Sequence, residues 1–157
     1  RKLFLSEKDS LCNMNIINEN RKIKEVEGKS YIYDIIRKKY ILLTPEEIVR
    51  QNFLDYLIIE KKYSKNLIKL ESAVKYNALD KRSDILVYDN QGKPFLLVEC
   101  KAAMVPISQS TIEQASRYNL KIQARYVCIT NGHKTFCFEL NLNTQNYLQL
   151  KAIPDVG

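Results

Sequence analysis

Two apolar runs, residues 85–88 and 95–98, flank the segment Asp89-Asn90-Gln91-Gly92-Lys93-Pro94. The flanked segment is rich in turn formers, so the runs are expected to pair as a β-hairpin. The chain has only four glycines and four prolines in 157 residues, with no low-complexity stretch and no internal repeat. Such sparse punctuation carries weight where it occurs. Thr44-Pro45-Glu46-Glu47 reads as a helix start. Thr44 can cap, Pro45 suits the first turn, and Glu47 sits where a capping-box carboxylate reaches back. That helix should run to about Lys61, with Val49, Phe53, Tyr56 and Leu57 recurring at helical spacing as its buried stripe.

Residues 67–74 then begin a β region, and residues 108–122 turn helical again, with Ile112, Ala115 and Leu120 as expected core positions. Two further strands, 126–130 and 135–140, hinge on Asn131-Gly132-His133. The order is α-β-β-β-α-β-β after an N-terminal lead-in, an α/β or α+β sandwich with helices packed on a mixed central sheet. The expected organisation is a single domain: an N-terminal extension over 1–43 packed on a core over 44–142, then a C-terminal tail over 143–157. Within the extension, residues 30–33 and 40–43 read as short extended pieces around the basic cluster Arg37-Lys38-Lys39.

At 45% hydrophobic content the chain can build one real core, and it is too short for a catalytic domain joined to an ATP-driven motor. Its formal charge of +7 suits a protein that approaches a polyanion, although charge alone identifies no partner. Cys12, Cys100, Cys128 and Cys137 include no C-x-x-C pair, so neither a zinc site nor a dense disulfide framework is indicated, and a reduced, cytoplasmic setting fits best. No apolar run approaches the ~20 residues of a membrane span. Residues 1–19 mix charges into their apolar positions and lack a signal-peptide core. The chain opens on Arg1 without an initiator Met, so its true N-terminus is expected to be missing or processed.

The chemistry concentrates in Val98-Glu99-Cys100-Lys101. Side chains alternate along a strand, so Glu99 and Lys101 point to one side and Val98 and Cys100 to the other. Leu96, Leu97 and Val98 make this strand look buried on both faces, and charges at its end are costly unless paired, metal-bound or at an open edge. Asp84 is expected to open the preceding strand, and hairpin pairing brings it beside Glu99 and Lys101. Two carboxylates from adjacent strands can hold a hard divalent cation, Mg2+ being the natural occupant. Lys101 could then orient a metal-activated water or stabilise the phosphorus transition state. The bland alternative is a same-face salt bridge between Glu99 and Lys101, with Asp84 as a turn residue.

These residues resemble the PD-(D/E)XK nuclease superfamily, whose signature is an acid on one strand and E-x-K on the next. Here they are Asp84, in Arg82-Ser83-Asp84-Ile85, and Glu99-Cys100-Lys101. The surrounding text is more specific: LTPEEIVRQNF, KRSDILVYDNQGKPFLLVECKA, EQASRYN and ITNG, in that order. It is similar to the N-terminal nuclease domain of type I restriction enzyme R subunits, in a short stand-alone form, over about two thirds of the chain. The resemblance implies a restriction-endonuclease-like core and Mg2+-dependent cutting of DNA, with Mn2+ as a substitute. It implies Asp84, Glu99 and the Cys100 backbone carbonyl as metal ligands, with Lys101 catalytic. It further implies a carboxylate on the first helix. Glu46 is favoured because it lies one turn before the core-facing Val49 and Phe53, whereas Glu47 has a use as the capping partner of Thr44.

Gln114 and Tyr118 match the family's Q-x-x-x-Y motif, stacked on one helical face to line the DNA path or support the site. By themselves they are an ordinary surface Gln and a half-buried Tyr. The superfamily's proline is replaced by Ser83. Lys81 and Arg82, which abut Asp84, are the best candidates for phosphate contacts. Arg37-Lys38-Lys39 and Lys61-Lys62 serve either that purpose or only solvation. His133 reads as a loop residue and Cys100 as core. The implied partners are DNA, a second copy for double-strand cutting, and separate motor or specificity subunits, with no membrane. The competing expectation is a DNA-binding or assembly module that keeps the nuclease fold without catalysis.

Overall fold

A computed structural model describes residues 17–76 and 79–156, and of residues 71–83 the backbone except at 77–78, with the side chain of Asp84 the first described after them. Cys12 and the side chains of Lys81, Arg82 and Ser83 therefore lie outside the described residues.

The first sheet is an antiparallel meander of β1 (Ile23–Val26), β2 (Lys29–Asp34) and β3 (Lys39–Leu42). Glu27 and Gly28 join β1 to β2 with φ of 51° and 79°. This is the double left-handed geometry of the tight hairpin turn that follows strand twist, and glycine adopts it without strain. Ile32 and Asp34 on its inner face are fully buried. Arg21 ties this sheet to the helix behind it, donating to Asp55 at 2.8 Å, to the Tyr33 carbonyl at 3.0 Å and to Gln51.

Helix α1 (Pro45–Asp55) begins as its sequence suggests, with Thr44 Oγ1 accepting the Glu47 N–H at 3.1 Å. The reciprocal half of the expected capping box is absent. The Thr44 N–H donates to the Leu42 carbonyl, and the Glu47 carboxylate is drawn inward by Arg37 and Arg50. A π-helical turn (Tyr56–Glu60) carries the helical run to the expected end. Val49, Phe53, Leu54 and Leu57 are buried, with Tyr56 packed at the margin of the same cluster.

The main sheet is mixed, in the order β4 (Ile68–Tyr76), β5 (Leu79–Tyr88), β6 (Pro94–Cys100), β7 (Tyr126–Thr130), β8 (Thr135–Leu140), β9 (Tyr147–Leu150). Only β6 and β7 run parallel, and α2 (Gln109–Ile122) makes the crossover between them. Val49, Phe53 and Leu57 of α1 pack with Ile85, Val87, Leu96, Val98 and Cys100 on one face. Ile112, Ala115 and Tyr118 of α2 pack with Leu86, Leu97, Val127, Ile129 and Phe136 on the other. The fold is thus the expected mixed α+β arrangement, with a helix covering each face of the central sheet.

Three local expectations need correction. Leu120 is 53% exposed, because Ile112, Ala115, Tyr118 and Asn119 define the buried stripe of α2 and leave Leu120 beside it. Asn119 takes the inner place instead, its side chain exchanging hydrogen bonds with the backbone of Ala124 to close the helix. Asp84 does not open its strand. Residues 79–83 of β5 already pair with β4, and pairing with β6 starts only at Ile85. The segment from residue 143, expected as a tail to 157, contributes an edge strand, β9, and buries Ile153 in the α1-face core, residue 157 lying outside the described residues.

Candidate active site at the end of the central strands

Pairing of β5 with β6 ends at Ile85↔Val98, so Asp84 and Glu99 are the next residues of the two strands; alternation points Glu99 to the face carrying Leu97, while the Asp84 carboxylate at the sheet's end reaches Arg50 of α1. Each is only 8% exposed. The sheet is apolar up to this point, so two carboxylates are held at its end in a largely dry setting.

Asp84 is tightly engaged. Its Oδ2 accepts the Cys100 N–H at 2.7 Å, and its Oδ1 accepts Arg50 Nη2 at 2.6 Å. The same Arg50 nitrogen donates to Glu46 Oε1 at 2.7 Å, while Nη1 donates to Glu47. Burial works against the Arg50 charge, but the Asp84 carboxylate, supported by Glu47, outweighs it and holds the guanidinium firmly protonated. Glu99 Oε1 lies 3.9 Å from Lys101 Nζ, a loose ion pair. The Lys101 N–H anchors to the Thr130 carbonyl at 2.8 Å, so the chain leaves β6 from a fixed point. A strand residue's N–H and C=O point toward the same neighbour, so the Cys100 carbonyl is directed to the Asp84 side. The Cys100 thiol faces the α1 core, and burial, reinforced by Asp84, pushes its pKa well above the ordinary thiol range. It is suited to packing and not to nucleophilic attack.

A groove of about 550 Å³ opens beside this cluster, lined among others by Leu42, Pro45, Glu46, Arg50, Ala102 and Met104. A second groove, of about 470 Å³, lies at the opposite end of β5 and β6 against Tyr88, Asp89 and Pro94.

The fold joins Asp84 to Glu46 through Arg50 and sets Glu99 beside Lys101, with Cys100 adjoining both pairs. Glu46 reaches Arg50 from the rim, its side chain 48% exposed, while buried Glu47 divides its carboxylate between Arg50 on one oxygen and Arg37 and Gln51 on the other. Gln114 and Tyr118 stand one turn apart on α2, but Gln114 is exposed and Tyr118 is buried in the core of that face. His133 is exposed in the β7–β8 loop, whose Asn131 side chain accepts the N–H groups of His133 and Lys134. Of the basic clusters, Arg37 is committed to Asp34 and Glu47, Lys61 pairs with Asp155, and Lys38, Lys39 and Lys62 are exposed.

Sequence reasoning missed Arg50, the residue that joins the helix carboxylates to Asp84. Its signal was the spacing: Arg50 follows Glu46 by four residues and Glu47 by three, so all three share a helix face. Among the described residues, no group of three or more His, Cys, Asp or Glu side chains stands in metal-holding geometry. No helix among them is long and apolar enough to cross a membrane.

Comparison with known proteins agrees with this architecture. A fragment described as an HsdR subunit of a type I restriction enzyme from Vibrio vulnificus YJ016 superposes with a TM-score of 0.51 at 21% identity. The match covers 72% of this chain and 24% of that one, so the chain spans about a quarter of that fragment, and the likeness is one of fold. No curated protein matches the chain. The family model described as Type I restriction enzyme R protein N terminus (HSDR_N) matches residues 45–154, from the first residue of α1 to just beyond β9. The chain belongs to the family of type I restriction enzyme R protein N-terminal domains.

Proposed function

We propose that this domain is a metal-dependent endonuclease of the PD-(D/E)XK type, hydrolysing DNA phosphodiester bonds in a restriction or DNA-processing role. The observation that carries the reading is that two buried carboxylates end neighbouring strands, Glu99 beside the Lys101 ammonium and Asp84 on the Cys100 N–H between them. Family membership supports it, as does the charge of +7.

The donor chemistry fits a hard cation, since Asp84, Glu99 and the Cys100 carbonyl all offer oxygen. These groups would hold Mg2+, or Mn2+ in its place, with Glu46 at the rim and solvent completing the shell. When bound, such an ion neutralises charge at phosphorus and acidifies a water. Lys101 would orient that water or donate to a phosphate oxygen, its ammonium kept in place by Glu99. Arg50 supplies positive charge to Asp84 and Glu46 when no ion is bound, so it must yield part of its fork for the carboxylates to turn to a metal. That same contact favours a second reading, in which Arg50 permanently closes the site and the domain is a DNA-binding or assembly module. DNA and the other subunits of a type I system are the proposed partners, and a second copy of the chain would allow both strands of a duplex to be cut.

The test is incubation of the purified protein with plasmid DNA and Mg2+ or Mn2+, beside Lys101→Ala. Metal-dependent nicking that the variant loses is the expected result. Equal cutting by both proteins refutes the assignment, and DNA binding without cutting by either selects the second reading.

A further inference from the structure

The outer face of the first sheet takes no part in the site described above, yet its composition is specific. Ile32 and Asp34 fill the inner face, so alternation turns Tyr31 and Tyr33 outward. The register pairs Lys24 with Tyr31, Val26 with Lys29, Tyr31 with Leu42 and Tyr33 with Tyr40. Lys22 lies opposite Tyr33, whose N–H donates to the Lys22 carbonyl at 2.9 Å. Opposite residues share a face, so one surface carries Lys22, Lys24 and Lys29 together with Tyr31, Tyr33 and Tyr40. The groups are interleaved. Lys24 Nζ sits 4.1 Å from the Tyr40 ring centre and Lys22 Nζ 5.9 Å from that of Tyr33, and the two rings meet edge to face at 5.3 Å.

Among the described residues, no carboxylate interrupts this face. Glu25 alternates to the other side, where it accepts from Ser30, and Glu27 occupies the turn. Tyr40 is 38% and Leu42 41% exposed, so ring and methyl surface is presented to solvent beside the ammonium groups.

We propose that this face binds single-stranded nucleic acid, with bases stacked on the tyrosines and phosphates held by the lysines. Charge of a single sign calls for a polyanion, and the exposed Tyr40 ring beside the half-buried Tyr31 and Tyr33 calls for flat apolar partners. A duplex supplies the first and withholds the second, since its base faces are stacked against each other and only edges and phosphates remain outside. An unpaired strand supplies both. Leu42, at one edge of the face, also lines the groove that holds Glu46 and Arg50, so a strand seated here is led toward the candidate active site. Binding at the sheet stands apart from the cleavage reading; only the direction of the strand rests on it.

The experiment is fluorescence anisotropy of an end-labelled oligothymidylate of about 15 nucleotides, a length within the range such surfaces cover. It is run in EDTA so that no metal-dependent step contributes, and repeated with a mixed-sequence duplex of the same length. Tyr40→Leu and Tyr33→Leu should each weaken single-strand binding about 10-fold or more with the salt dependence unchanged. Lys24→Gln should weaken it and reduce the slope of log K against log salt by about 0.7. The chain has ten tyrosines and no tryptophan, so stacking should also quench its intrinsic emission, less so in Tyr40→Leu. Lys24→Gln keeps the test sharp should a tyrosine variant melt early. Unchanged single-strand affinity in folded variants overturns the proposal, as does a duplex that binds more tightly than the single strand. Lys101→Ala separates the two readings, because it should abolish nicking and leave this binding intact.

Discussion

Replacing Arg50 with Met removes one buried charge at nearly constant volume and leaves its carboxylate partners behind. Asp84 and Glu47 lie in buried ion pairs with Arg50, at side-chain exposures of 11% and 4%, while Glu46 is half-exposed and adds little. Breaking a buried pair by deleting one partner costs about 3–5 kcal/mol, because the other charge stays desolvated. In a domain of this size about 1 kcal/mol moves the melting temperature by roughly 2–4 °C. Arg50→Met should therefore melt about 6–20 °C below the parent in EDTA. If Asp84 and Glu99 bind a divalent ion, the variant should recover more than the parent on addition of Mn2+, since Arg50 no longer competes for Asp84. At an ion concentration a hundredfold above the dissociation constant, linkage supplies about 2.7 kcal/mol. Differential scanning fluorimetry with and without Mn2+ reads both effects. A variant that melts within a degree or two of the parent in EDTA, or that gains no more from Mn2+ than the parent does, refutes the reasoning.

Tyr118→Ala should cost about 3–5 kcal/mol, since the ring is buried in the α2-face core, whereas Gln114→Ala on the solvent side should stay within about 0.5 kcal/mol. Urea denaturation distinguishes them, and near-equal costs would contradict the placement. Burial opposes ionisation of Asp34, but the Arg37 backbone and guanidinium and the Gln51 amide outweigh it and hold its carboxyl below the usual range. A folded pKa below the unfolded value of about 3.9 contributes stability above that pH and loses it as pH falls through the folded value. The difference in melting temperature between the parent and Asp34→Asn should therefore shrink from pH 5 toward pH 3, and a constant difference would count against it. Thr44→Ala should cost about 1 kcal/mol through the lost cap on Glu47, read by the same denaturation curves, and no loss would deny the cap its role.

The strand and helix pattern of the core was readable because its signals are local. The 89–94 turn, the Thr44-Pro45 start and the two-residue alternation in 95–101 each act within a few positions. What escaped the sequence depends on distant partners. Glu47 suited a local cap, yet Arg37, from the connection between β2 and β3, turns its carboxylate inward, and nothing nearby announces that contact. Arg50 went unremarked because its spacing from Glu46 and Glu47 is the only local signal, and its role depends on β5 bringing Asp84 against it. Leu120 fits a helical stripe on hydrophobicity alone, but Asn119 wins the inner position because its amide satisfies the helix end. β9 escaped because Tyr147-Leu148-Gln149-Leu150 is short and stabilised chiefly by β8 beside it.

Anomalous diffraction from a crystal soaked in Mn2+ addresses the central claim directly. The expected result is a peak within ligand distance of the Asp84 and Glu99 carboxylates and the Cys100 carbonyl, with Arg50 turned from Asp84 and no such peak in Glu99→Gln. A fully soaked crystal with Arg50 still seated on Asp84 and no anomalous density between the two strands would contradict it.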